Sequence, residues 1–370
     1  MSRFIQLHVL TNYPPSNLNR DDTGRPKTAL MGDAMRLRIS SQSQKRAWRT
    51  SEEFFQALGS TPAAAATLVQ WGAQPHANLG SRTKEAGVRI YEALVRHGVS
   101  EKDAREWAKS IAEVFGKLEG KKDDKSANDL KLSQLVHFSP EEKAAIDALV
   151  SACVERKSKP SEGELALLSK PKSAVDIAMF GRMLADKPVN NVEAAVQVSH
   201  AFTVHKVAVE DDYFSAVDDL NNGREDKGAA HIGERAFGAG LFYLYVCVDR
   251  ELLKENLGGD ALLASKALVA LLHAIAKVSP SGMQASFASR AYASYMLAEK
   301  GDQQPRSLAQ AFLKPVKPDE SSMLDDAFKA LKSRQENFDK VYGECADARK
   351  EFNVETGEGS LADMAAFIRE

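Results

Sequence analysis

Cysteine is scarce. Three residues, Cys153, Cys247 and Cys345, stand far apart in 370 and form no CxxC pair. That excludes a disulfide framework and a zinc knuckle, and it fits a reducing cytoplasm. Long apolar runs are absent too. Nothing approaches the ~18 consecutive apolar residues that span a bilayer, and the apolar stretch in MSRFIQLHVL is too short for a signal peptide. The expectation is a cytoplasmic protein with no membrane partner. A charge excess is also lacking. The formal net charge is -2, so no global basic field draws in nucleic acid and any polyanion site must be local. HExxH, P-loop, GxSxG and dinucleotide fingerprints do not occur, and no catalytic residue, metal or cofactor is expected. What remains is a soluble globular balance, 44% hydrophobic and 27% charged, in a chain long enough to bury a sizeable core.

FIQLHVL (4–10) reads as a strand, followed by the turn-rich loop TNYPPSNLNRDDTGRP with Arg20, Arg25 and Lys27 close by. RISSQSQKRAWR then opens a helix expected to run to about Leu58. From Thr61 to about Lys170 the chain is alanine-rich, with helical patterns at 62–71, 82–97, 101–118 and 140–156. This texture reads as a helical insertion. KSAVDIAMFGRM (172–183), AAVQVSHAFTVHKVAV and AGLFYLYVCVDR (239–250) have strand character, and SFASRAYASYMLAE (286–299) alternates again. ALLASKALVALLHAIAK (261–277) reads as a helix, as do stretches near 307–313, 320–341 and 360–369. Without the insertion the order approaches βαββαβ with one extra strand: an α+β, ferredoxin-like sheet with helices on one face, the plan of RNA-recognition motifs. Residues 210–238 interrupt it as a protruding hairpin or loop. From Glu210 to Lys227 that segment holds seven acids and two basic residues.

The helix start carries the chemistry. Counting 100° per residue puts Trp48, Phe54, Phe55 and Leu58 on one side and Gln42, Lys45, Arg46 and Arg49 on the other. On a helix running to Leu58 these cations sit in the first turns, the positive end of the dipole, where they are unfavourable unless an anion is present. Serine hydroxyls and free N–H groups at the same end supply donors for phosphate oxygens. Eight basic residues lie between Arg20 and Arg49, against three acids, which suits an extended polyanion backbone better than a single phosphate. A capped surface helix with a solvated basic face has the same pattern.

Several strings in this order and spacing resemble the backbone subunit of the type I-E CRISPR Cascade complex, the CasC or "Cas-seven" family: LNRDD (18–22), RISSQSQKRAWR (38–49), SAVDIAMFGRM (173–183), VSHAFTVHKV (198–207), YFSAVDDL (213–220) and HIG (231–233). The similarity is dense at the N-terminus and over 173–250, and weak in the insertion and tail. It implies a right-hand shape. The palm, an RNA-recognition motif, would comprise 1–60, 172–209 and 239–370 with its C-terminal helices. The helical fingers would be 61–171 and the hairpin thumb 210–238. It implies copies in a head-to-tail filament along a CRISPR RNA, with each thumb kinking the guide so that target DNA pairs in short segments. The other Cascade subunits (large subunit, small subunit, five-prime-handle cap and repeat-processing endoribonuclease) are then partners in antiviral defence.

On this resemblance Arg20 and Lys27 contact guide phosphates from the first loop, with Arg38, Ser40, Gln42, Lys45, Arg46 and Arg49 doing so around the helix start. Met183, Phe214 and Ser215 lie against bases, although Met183 and Phe214 read equally well as core fillers. The acidic thumb would separate bases by shape, its acids, Asp218 and Asp219 among them, facing solvent or the basic surface of the next copy. His200 and His205 read as structural and lie on opposite faces of one strand. Lys121, Lys122 and Lys125 read as a solvated loop or a contact to DNA. The competing reading is a metal-dependent RNase using Asp21 or Asp22. The resemblance instead implies that target cutting belongs to a separate helicase-nuclease. A monomeric RNA-recognition-motif protein fits less well, because no RNP-type aromatic string occurs.

Overall fold

The computed structural model describes residues 2–59, 68–72, 77–120, 127–168, 174–216, 231–317 and 322–370. Lys121, Lys122, Lys125, Asp218, Asp219 and most of the helix expected at 62–71 lie outside the described residues, as do the first two residues of KSAVDIAMFGRM.

Strand β1 (Phe4–Ser16) is followed by β2 (Thr28–Met31) and β3 (Ala34–Ile39). The last two form an antiparallel hairpin that the sequence reading missed. Its signal was Gly32-Asp33, both with positive φ (58° and 57°), the requirement of a type I′ turn. Only glycine fits at 32, because a Cβ would collide with the Leu313 carbonyl.

The single helix expected to Leu58 is two: α1 (Ser41–Arg49) and α2 (Glu52–Leu58). Two hydroxyls cut it. Thr50 Oγ1 donates to Arg46 O, and Ser51 Oγ donates to Trp48 O while accepting from Phe54 N. Side chains of this type compete with the helical ladder and recap the chain.

Next come β4 (Ser81–Thr83), α3 (Ala86–Arg96), α4 (Glu101–Ala112), β5 (Val136–Phe138), α5 (Pro140–Arg156), α6 (Glu162–Leu168) and α7 (Val175–Phe180). The last corrects the strand expected there. All six of its residues are buried, so the run is apolar all round and periodicity could not separate helix from strand. The strand expected across 196–205 is also broken, into β6 (Val196–Val198) and β7 (Ala201–Thr203). Then follow β8 (Glu210–Ala216), β9 (His231–Asp249), α8 (Arg250–Asn256), α9 (Ala261–Lys277) and α10 (Gln284–Phe287). The tail holds β10 (Ala293–Gly301), α11 (Met323–Tyr342), β11 (Ala348–Asn353) and α12 (Leu361–Arg369).

The described residues fall into two compact units, one of 1–57, 197–248 and 268–370, the other of 58–196 and 249–267. The first contains a sheet ordered β11-β10-β1-β9-β7-β3-β2, with β6 and β8 also pairing to β9. Its centre, β10-β1-β9-β7, is the βαββαβ arrangement read from the sequence, and the additions lie at the two edges. The fold is α+β. Helices do not cover one face alone: Ile5 to Thr11 of β1 are all buried, so both of its faces are covered. On one face Leu10, Tyr243, Tyr295 and Leu297 pack with Phe312, Ala327 and Leu331. Deep on this strand His8 Nε2 meets Glu299 at 3.1 Å, and Glu299 also accepts from Arg306 (2.6 Å) and Arg349 (2.7 Å).

The second unit buries a separate core from α3, α4, α5, β5 and neighbouring segments, including Ile90, Trp107, Phe115, Phe138 and Ile146.

Candidate nucleic-acid interface

Asp21 organises the first loop. Its Oδ1 accepts from Thr23 N (2.9 Å), Thr23 Oγ1 (2.7 Å) and Arg25 N (3.0 Å). The Thr23 hydroxyl, with help from these backbone groups, holds the carboxylate below its ordinary range. Asp21 is therefore engaged in shaping the turn that carries Arg20 and Arg25, both exposed.

The loop is stitched to the helix start by Asn19. Its backbone carbonyl accepts from Lys27 N (2.8 Å), and its Oδ1 accepts from Ser40 N (2.8 Å). Arg38 N then donates to Lys27 O (2.8 Å). Asn19, Lys27, Arg38 and Ser40 are thus joined by consecutive bonds, and Arg20 follows Asn19 in the chain. Ser40 is the N-cap of α1: its backbone is extended and its hydroxyl accepts from Ser43 N at 3.3 Å. No acid occupies the first turn. Gln44, at 5% exposure, fastens the inner side, donating to Ile39 O and Ser199 O. Trp48, four residues on and so on the same side of the helix, is buried too, while Gln42 and Arg46 are exposed and Lys45 half-buried.

Two cations do not belong to this surface. Arg49, expected on the open side, is 8% exposed; the nine-residue helix ends there, and its last residue turns inward. Arg36 is fully buried and donates to the carbonyls of Met31, Thr203 and Phe312. The early end of α1 also changes the electrostatics: Arg46 and Arg49 occupy its last turn, where cations are favoured. The unfavourable placement inferred from a longer helix does not apply to them.

His200 joins the cluster unexpectedly. It lies in the break between β6 and β7, exposed, with Nδ1 2.7 Å from Arg38 Nη1. Since a guanidinium only donates, Nδ1 is the acceptor and the neutral ring carries its proton on Nε2. Partial burial, then the charges of Arg38 and Lys27, push its pKa below the ordinary value. His205 is structural, as expected. It accepts from Leu241 N at 3.2 Å.

β8 and β9 form the antiparallel base of the hairpin expected at 210–238. Phe214 faces Gly233 across the ribbon, where a Cβ would collide with its ring, and the Arg235 guanidinium lies 4.5 Å from the ring centroid. Ser215 is the next residue, so it points to the opposite face. That face also carries Tyr213 and Ile232, 68% and 56% exposed. Their exposed apolar side chains amid polar neighbours were the overlooked signal. Among the ribbon's acids, Asp211 pairs with Arg25 of the same chain at 2.8 Å.

Met183 belongs to the second unit. It is 80% exposed, which removes the core-filler reading. The residue before it is its opposite: Arg182 is buried and bonds to Glu142 (2.8 Å), His137 O (2.9 Å) and Asn190 O (2.9 Å). Glu142 is held in turn by a capping box with Ser139.

Among the described residues no group of three or more His, Cys, Asp or Glu side chains is placed to hold a metal ion, and no single helix is long and apolar enough to cross a membrane.

An RNA-recognition-motif-like sheet, a hydroxyl- and cation-bearing loop–helix junction and an exposed two-stranded ribbon define the class of protein by its fold. The sequence model of the CT1975-like protein family matches residues 5–367, and the chain belongs to that family, the Cas-seven kind read from its motifs. A solved chain titled "CRISPR RNA-guided surveillance complex, pre-nicking" is 29% identical, with a TM-score of 0.81 over 98% of this chain and 99% of that one. A second, titled "CRISPR RNA-guided surveillance complex", is 24% identical with a TM-score of 0.70 over 98% and 99%, and supports the fold. No curated protein sequence matches.

Proposed function

We propose that this chain is a non-catalytic backbone subunit of a Cascade-type surveillance complex, of type I-E on its motifs. Copies line up along one CRISPR RNA, grip its phosphates and leave its bases to pair with target DNA in short segments. The carrying observation is the junction stitched by Asn19, which gathers Arg20, Lys27, Arg38, Ser40, Gln42 and Lys45 around one helix start, with Arg46 in the last turn of the same nine-residue helix, in a member of this family. Hydroxyls, an amide and cations with few nearby acids suit a phosphodiester backbone and carry no base code. Arg49 is left out of the contact set because it is buried.

On this reading 61–171 is the fingers insertion and 210–238 the thumb. The ribbon separates bases by shape, with Phe214 on one face and Tyr213, Ser215 and Ile232 on the other, and Met183 meets a base from the fingers side. The neighbouring copies and the other Cascade subunits are partners, and the complex is cytoplasmic.

Salt-dependent binding tests the reading. Lys45→Ala or Arg46→Ala should weaken guide RNA for all sequences alike and reduce the log–log salt slope by about 0.7 per lost contact. A loss confined to certain sequences would contradict backbone gripping. The RNase alternative is tested by magnesium-dependent cleavage with wild type, Asp21→Ala and Asp22→Ala. Robust cleavage lost in either variant would overturn the non-catalytic assignment.

A further inference from the structure

The segment from Ser16 to Lys27 touches both halves of the interface. Toward α1 it is tied by Asn19. Toward the ribbon it is tied three times. Asn17, 1% exposed, donates through Nδ2 to Gly24 O and to Ala236 O, each at 2.9 Å. Ser16 Oγ donates to Gly238 O at 3.3 Å, and Arg25 pairs with Asp211 at 2.8 Å. Asp211 and Ala236 are cross-strand partners. Asn17 and Arg25 therefore seize one rung of the ribbon, one on each strand.

The rung needs such a hold. Six of the seven residues of β8 are exposed, and a two-stranded ribbon with so little buried surface has no rigid direction of its own. Asn17 is well suited to the role. Both Nδ2 hydrogens face carbonyls, so a flipped amide would set oxygen against oxygen. The opposite side of the ribbon base is braced separately, by Arg235 to Ser286 Oγ (3.0 Å) and Phe237 on Phe287 (5.9 Å between ring centroids).

We infer that Asn17 and Arg25 are positioning residues that lock the ribbon to the loop bearing Arg20 and Lys27, so that one rigid piece sets both where the backbone is gripped and where bases are displaced. This rests on the RNA-backbone reading above. Its consequence is a separation of effects: loosening the rung blurs the pattern of displaced bases more than it weakens binding.

The test uses the full chain assembled on guide RNA, read base by base with a probe of unstacked bases, alongside affinity. Asn17→Leu and Asp211→Ala should each lose the contrast between displaced and stacked bases, with affinity changed by less than about fivefold, the scale of an exposed ion pair. Arg25→Asp and Asp211→Arg should each lose it, and the double variant with the charges exchanged should regain it. Asp211 is exposed, so its variants keep the test decisive if Asn17→Leu fails to fold. An unchanged pattern in the single variants, or an exchanged pair no better than either alone, overturns the coupling while leaving RNA binding intact. Failure of the wild type to bind guide RNA overturns both.

Discussion

Asn19 Oδ1 accepts the backbone N–H of Ser40 at 2.8 Å, across 21 residues of chain. The same residue's carbonyl accepts from Lys27. One uncharged side chain therefore sets the spacing between the loop cations and the helix start. Asn19→Ala should weaken guide binding for every sequence while leaving the salt slope unchanged, because no charge is removed. Leaving the Ser40 N–H without its acceptor should also cost about 1–3 kcal/mol of stability. Salt-titrated binding and urea unfolding check the two parts, and a reduced salt slope would contradict the first.

His200 should link binding to pH. Its folded pKa lies below 6.5 through partial burial and the charges of Arg38 and Lys27. An anion beside those cations offsets their push, so the bound state takes up a proton more readily than the free one. Affinity should then rise as pH falls below neutrality. In the free protein the sign is reversed: the unfolded histidine protonates first, so this contribution to stability declines as pH falls through about 6.5. Binding isotherms from pH 7.5 to 5.5 should show the rise, and His200→Gln should flatten it.

Arg182 and Met183 should separate stability from recognition. Arg182 and Glu142 have side-chain exposures of 1% and 2%. Removing either charge strands the other, so Arg182→Met or Glu142→Ala should destabilise by about 3–5 kcal/mol. Met183→Ser, at an exposed position, should stay within about 0.5 kcal/mol while altering contact with a guide base. Chemical denaturation and base probing measure these.

Acid should attack the sheet through Glu299. Burial pushes this carboxyl up, but hydrogen bonds from His8 and Arg306 outweigh it and hold the group well below its ordinary 4.5. Its contribution is present above that unfolded value and is lost as pH falls toward the lower folded one. Glu299→Gln should lower the melting temperature at pH 7 and remove part of the decline between pH 4.5 and 3. Melting curves across that range decide it.

Much of the architecture was legible in local pattern. FIQLHVL lies within β1, ALLASKALVALLHAIAK is α9, and PEEKAAIDALVSACVER is α5 with its Ser139 cap. Composition and periodicity suffice for such elements because their hydrogen bonds or buried faces repeat within the segment. VDIAMF resisted the same reading, since a short run buried on all sides has no period to detect. The break at Thr50–Ser51 turned on which backbone carbonyls two hydroxyls chose, and that choice is cooperative with the packing of Trp48 and Phe54.

The sequence by itself determined the βαββαβ succession of the central elements, the hydroxyl- and cation-rich helix start and the family to which its motifs belong. Only the tertiary structure decided which cations remain available. Arg36 and Arg38 stand two apart in one string; one is buried among three carbonyls and the other meets His200 on the surface. It also decided that Asn17, Asn19 and Arg25, three residues of a loop to which the sequence reading gave no such role, hold the ribbon and the helix together. Their partners lie 219, 21 and 186 residues away. Contacts over such separations leave no local period or composition, because they exist only once distant segments have been brought together by the core.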